Sequence, residues 1–119
     1  MKSVLFLILI FLAFGCNTKK EDTNLEKNIH VSLKNTEDYY YDLKIGGDEE
    51  GASFKVQAMH YQVSELVRDV STGYNVIYHY LPEAGYQGTD YVEIETCTGG
   101  DGTGCTDSNV IRINFDVTK

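Results

Sequence analysis

Three histidines, three cysteines and eighteen carboxylates are the side chains with which this chain could do chemistry. His30, His60 and His79 stand far apart in sequence, with no H-x-H pair and no H-E-x-x-H run to aim two imidazoles at one metal. Each falls in an alternating stretch, where a histidine reads as a polar-face residue. Asp48, Glu49 and Glu50 cluster in one turn, and Asp101 and Asp107 flank Cys105. Calcium takes roughly six to eight converging oxygens. No D-x-D-x-D-G ladder supplies them, so these acids read as solvated turns. There is no G-x-S-x-G nucleophile elbow, and so many acids form chance pairs without implying glycoside hydrolysis. No catalytic residue, metal or cofactor is expected. Nine tyrosines stand beside no tryptophan. Tyr39-Tyr40-Tyr41 sends rings to both faces of one strand. Inward rings read as core with a wet hydroxyl. Outward ones such as Tyr40 and Tyr91 could offer a platform to a sugar ring or a protein, although core and edge packing is the plainer reading.

The chain opens with Lys2 and an apolar run from Val4 to Phe14. As a helix these residues span about 16 Å, short of the roughly 20 residues a membrane crossing needs. They fit the apolar core of a secretory signal. The run ends in Leu12-Ala13-Phe14-Gly15-Cys16, which resembles the lipobox of bacterial lipoproteins. That resemblance implies removal of residues 1–15 and acylation of Cys16 as the first mature residue. Several acyl chains, at about 0.8 kcal/mol per buried methylene, hold where a single chain is marginal. An ordinary cleaved signal leaving a free thiol is the alternative. Residues 16–28 are polar and unpatterned, a flexible tether. Within them Lys20-Glu21-Asp22 resembles the surface-export signal of lipoproteins from the Bacteroidetes group; a solvated charged linker would look the same. The implied place is the cell envelope, lipid-anchored to the outer membrane and through this motif exposed at its surface. With Cys16 lipidated, Cys97 and Cys105 are the thiols left in an exported protein, and they are expected to pair. They enclose a glycine-rich loop, and closing so short a loop stabilises by about 2–3 kcal/mol in the chain-entropy model.

A length of 119 residues allows one domain of ordinary size. A net charge of −8 argues against a nucleic-acid partner, which needs a basic face. At 42% hydrophobic and 12% aromatic, the composition is that of a folding chain. Apolar residues recur at every second position: Ile29, Val31, Leu33; then Tyr39, Tyr41, Leu43, Ile45; then Ala52, Phe54, Val56, Ala58. The phase slips after Ala58, where Met59, Tyr61 and Val63 take over, which a bulge or two short strands would explain. Tyr74, Val76, Tyr78 and Tyr80 follow, then Val92, Ile94 and Thr96, then Ile111, Ile113, Phe115 and Val117. Val63, Leu66, Val67 and Val70 could share a helical face; a strand edge or turn fits better between two strands. This is strand periodicity throughout, punctuated by glycine-rich turns. It predicts an all-β domain over residues 29–119, a two-sheet sandwich of six or seven strands; a small β-barrel is the alternative.

The stretch Tyr80-Leu81-Pro82-Glu83-Ala84-Gly85-Tyr86-Gln87-Gly88-Thr89-Asp90-Tyr91 resembles the bacterial Ig-like and cadherin-like repeats of secreted and surface proteins. The resemblance runs from Tyr78 onward and implies an Ig-like β-sandwich of about seven strands. It makes Tyr80, Pro82, Gly85, Tyr86, Gly88 and Asp90 a structural corner. Pro82 ends the preceding strand. Gly85 and Gly88 admit positive φ. Tyr86 tucks its ring under the connection with its hydroxyl near water, and Asp90 accepts backbone N–H bonds. The expected function is a lipid-anchored Ig-like module with a non-enzymatic binding, adhesion or assembly role, its partner an unknown protein or glycan. A glycan-binding accessory lipoprotein is the alternative, ahead of a small envelope enzyme or inhibitor. Exposed tyrosines clustered on one face would favour the glycan reading, and a cleft of converging carboxylates and histidine an enzyme.

Overall fold

A computed structural model describes residues 25–100 and 104–119. The signal segment, Cys16, the tether up to residue 24 and Asp101 lie outside the described residues. The strands are β1 (Leu25–Lys34), β2 (Tyr39–Asp42), β3 (Gly51–Val56), β4 (Tyr61–Val67), β5 (Ile77–Pro82), β6 (Gly88–Gly100) and β7 (Cys105–Thr118), with a 3-10 turn at Val70–Thr72. They form two sheets, β1-β7-β6-β3 and β2-β5-β4. All pairings are antiparallel except β1 on β7, which is parallel. The fold is thus an all-β sandwich of seven strands. Its order is that of a constant-type immunoglobulin sandwich whose first strand lies beside the last rather than beside the second.

The period-two pattern becomes an inside and an outside. In β7, Ile111, Ile113, Phe115 and Val117 are buried, while Arg112, Asn114 and Asp116 alternate with them on the outer face. Val92 and Ile94 of β6 and Tyr78 and Tyr80 of β5 complete a core with no accessible surface on those four side chains. Phe115 is its centre: its ring stacks on Tyr80 at 4.0 Å and meets Tyr39 edge-on at 5.6 Å. Each such buried side chain contributes about 1.5–3 kcal/mol through removal from water.

The phase slip after Ala58 marks the change of sheet: β3 belongs to the four-stranded layer and β4 to the three-stranded one. Val63 to Val70 is strand as far as Val67 and then leads into the 3-10 turn, with no α-helix among the described residues. Two boundaries differ from the sequence pattern. Tyr74 is exposed and sits at φ 64°, in the turn before β5, so it does not belong to the inward set of Tyr78 and Tyr80. Its N–H bonds to the carbonyl of Asp69, closing that turn. Pro82 does not end the strand ahead of itself; it is the last residue of β5 and fully buried. It lies beyond the final β2–β5 pair, Tyr39–Tyr80, so its missing donor breaks no ladder bond to β2. Strand β1 also begins at Leu25, four residues before the alternation that announces it; Leu25 to Asn28 are all exposed and leave no hydropathy mark.

Candidate functional site

The corner is built around one carboxylate. Asp90 stands near the start of β6, where β3 has already stopped pairing and the chain crosses between the sheets through Met59 and His60. Its Oδ1 accepts the Met59 N–H at 3.0 Å and its Oδ2 the His60 N–H at 2.9 Å. The buried Tyr80 hydroxyl lies 3.0 Å from both Asp90 Oδ2 and the His60 carbonyl, and donates to one of them at a time. Burial pushes the Tyr80 and Tyr78 phenols far above their ordinary range, with the Asp90 charge adding to the effect on Tyr80. Gly85 and Gly88 take φ of 77° and 140°. At Gly88 a Cβ would sit 2.9 Å from the Tyr86 hydroxyl, so the ring's position itself calls for glycine. Tyr86 donates to the Thr89 carbonyl and stacks on His60 at 4.1 Å. Asp90, Tyr80 and Tyr86 thus contact the crossing loop at Met59 and His60, and Gly88 makes room for the Tyr86 ring.

That loop forms one wall of an open groove of about 660 Å³ on the outer face of the four-stranded sheet. Strand register assembles its floor: His30, Asn114 and Tyr91 lie side by side across β1, β7 and β6, and Ser32, Asp116 and Thr89 form the next row. Arg112 is diagonal to Tyr91, with its guanidinium carbon 3.9 Å from the ring centroid. It also donates to Glu93 at 3.0 Å and to the Asn114 side-chain oxygen at 3.0 Å. The cation is thereby neutralised and fixed, and it holds Tyr91 upright. Met59, 77% exposed, is an apolar lip. Of these floor residues, residue type marks Tyr91 and His30 in the sequence, His30 only as a polar-face residue; Arg112, Asn114, Asp116 and Ser32 carry no such mark. Their signal was their position, alternating with an apolar set in the same strand.

On the opposite sheet, Tyr40, His79 and Glu65 share a row across β2, β5 and β4. Tyr40 stacks on the His79 ring at 4.3 Å, and the two ring nitrogens face Asp38 at 2.6 Å and Glu65 at 3.4 Å. The row lies on a face of the three-stranded sheet, and its groups bond and stack on one another and on Asp38. Tyr40 and Tyr91 thus sit on opposite faces, and Tyr74 in the turn before β5; they make no single platform. The structure brings His30 and His60 to one groove and leaves His79 on the other side.

The acidic turn is also self-contained. The Glu50 carboxylate accepts the N–H groups of Gly47 at 2.7 Å and Gly46 at 2.8 Å, which hold it below the usual carboxylate range. Arg68 caps the same turn by donating to the carbonyls of Gly46, Gly47 and Glu50. Among the described residues no three His, Cys, Asp or Glu side chains converge as a metal site. Cys97 and Cys105 are joined, with Cα atoms 5.5 Å apart. The bond sits where the β6–β7 ribbon outruns its neighbours: β3 pairs only as far as Cys97, and β1 meets β7 only from Val110. A two-stranded ribbon is marginal alone, and the disulfide staples it. No protein-family model and no curated protein matches this chain.

Proposed function

We propose that this protein is a lipid-anchored, non-enzymatic binding module of the bacterial cell envelope, tethered through Cys16 and presenting the outer face of its four-stranded sheet to a partner. The observation that carries the reading is the groove beside the Asp90 corner. There the buried Asp90 carboxylate holds a crossing loop that walls a row of outward polar side chains. The resemblance of Leu12 to Cys16 to a lipobox supports the anchor, and that of Tyr80 to Tyr91 to Ig-like surface repeats supports the module. An open trough on a rigid β-sheet face suits binding a chain; although it holds His30, His60, Asp90 and Asp116, neither imidazole ring bonds to either carboxylate, and Ser32 bonds to none of the four, among the described residues. Two measurements test it. Changing Cys16 to Ser moves the protein from the membrane fraction to the soluble one; an unchanged distribution refutes the anchor. The soluble Cys16→Ser protein then binds saturably to envelopes of its source cell, and a linear, non-saturating isotherm refutes the binding module.

A further inference from the structure

We infer that the groove on the outer face of the four-stranded sheet binds a neutral glycan chain; this rests on the binding-module reading and names its ligand class. Four features of the groove carry it. Its volume, about 660 Å³, lies within the roughly 300–1,000 Å³ that small ligands occupy, and it is an open trough, which suits the interior of a chain. Its outward groups are those that hydroxyl-rich ligands engage. The side chains of His30, Ser32 and Asp116 are exposed and, among the described residues, have no hydrogen-bond or ionic partner. With the Tyr91 hydroxyl they offer donors and acceptors on two adjacent rows about 7 Å apart along the strands and about 5 Å apart across them. A carboxylate such as Asp116 accepts from sugar hydroxyls through charge-assisted bonds.

The apolar surface is of the right kind as well. Arg112 covers one face of the Tyr91 ring and sets its orientation. The ring and the exposed Met59 side chain give the C–H face of a sugar something to lie against. Charge then narrows the class. The one guanidinium in the groove is already paired with Glu93, Asp116 adds a negative charge, and the chain carries a net −8. Sulfated, phosphorylated or uronic-acid polymers would be repelled. Finally, an extended peptide would find little here. The middle strand of the floor, β7, is paired on both sides, by β1 and β6; the open ladder edge is the outer side of β1, so a peptide adding a strand there would lie beside the trough and not along it.

The test uses the soluble mature Cys16→Ser protein on envelopes pre-treated either with periodate, which cleaves vicinal diols, or with protease. Neutral hexaoses of glucose, mannose and galactose serve as competitors. Binding abolished by periodate, resistant to protease and weakened at least tenfold in Tyr91→Ala and in Asp116→Ala supports the inference. Tyr40→Ala, on the opposite sheet, keeps the parent affinity. Melting curves matching the parent show that the two groove variants are folded. Saturable binding that survives periodate and is lost to protease overturns the glycan inference while leaving the binding module standing. Binding that both groove variants retain overturns the assignment to this groove. Absence of saturable binding by the parent overturns the module itself.

Discussion

Replacing Asp90 by Ala should cost this domain about 3–6 kcal/mol. Two backbone donors of the crossing loop, Met59 N–H and His60 N–H, bond to its carboxylate at 3.0 and 2.9 Å, beside the adjacent Tyr91 N–H at 2.9 Å. Hydrogen bonds to a charged group contribute about 1.5–3 kcal/mol each, and the two together give the expected range. Tyr80 is not orphaned by the change, because its hydroxyl can donate to the His60 carbonyl instead. Asp90→Asn is the sharper variant. It keeps the shape but turns one oxygen into a donor. Oδ1 serves Met59 and Tyr91 N–H, and Oδ2 serves His60 and Tyr80. Either orientation of the amide therefore sets an N–H against a backbone N–H, and the expected loss is about 2–4 kcal/mol. Tyr80→Phe removes only the shared hydroxyl bond and should cost about 1–2 kcal/mol. Urea unfolding followed by far-ultraviolet dichroism reads all three. With a slope of roughly 2 kcal/mol/M, a 4 kcal/mol loss moves the midpoint by about 2 M. A loss below about 1 kcal/mol for Asp90→Ala would show that water replaces the carboxylate at no cost, and the corner would lose its structural meaning.

Other outcomes follow from the same geometry. Replacing Cys97 and Cys105 with Ser should lower stability by no more than about 2–3 kcal/mol, and hydrogen exchange should quicken at Thr98 and Asp107 while Ile113 stays protected. A uniform loss of protection across β5 and β7 would contradict a ribbon that is stapled at its root. On the alkaline side, the Tyr78 and Tyr80 phenols are held protonated by burial. Their folded values lie above the unfolded value of about 10. Their contribution is therefore complete below about pH 10 and lost as the pH climbs beyond it. Tyrosinate absorbance should include a cooperative step that coincides with unfolding. A smooth non-cooperative titration of all nine tyrosines would rule out the buried pair. On the acid side, Glu50 and Asp69 are lowered by hydrogen bonds, from backbone N–H groups at Glu50 and chiefly from Ser71 at Asp69. What they add to the turns at Gly46 to Glu50 and Asp69 to Gly73 is present above about pH 4 and lost as the pH falls through their depressed values. Amide shifts at Gly46, Gly47 and Ser71 should report it.

The sequence made the layers legible because β7 and β6 alternate without interruption, and burial on one face of a sheet has no other periodicity to follow. The change of sheet after Ala58 was visible only as a slip of phase, since a bulge and a crossing displace the pattern in the same way. Tyr74 was misleading for a physical reason: a tyrosine in step with an inward set carries no mark that its backbone has turned left-handed after Gly73. The corner could be read from side-chain chemistry, a buried acid and two glycines. The donors it serves, Met59 and His60, lie thirty residues away and follow from topology alone. The groove was the least visible. Its floor comes from three strands that are distant in sequence, and each of Arg112, Asn114 and Asp116 looks like an ordinary solvated position until register sets them beside His30 and Tyr91.

The most direct measurement is an amide chemical-shift map of the isotope-labelled soluble Cys16→Ser protein, titrated with glycan released from the envelope. The expected result is a contiguous set of saturating shifts at His30, Ser32, Tyr91, Asn114 and Asp116, with Tyr40, Glu65 and His79 unmoved. Shifts centred on the Tyr40–His79 row, or none at saturating ligand, would contradict the outer face of the four-stranded sheet as the surface that binds.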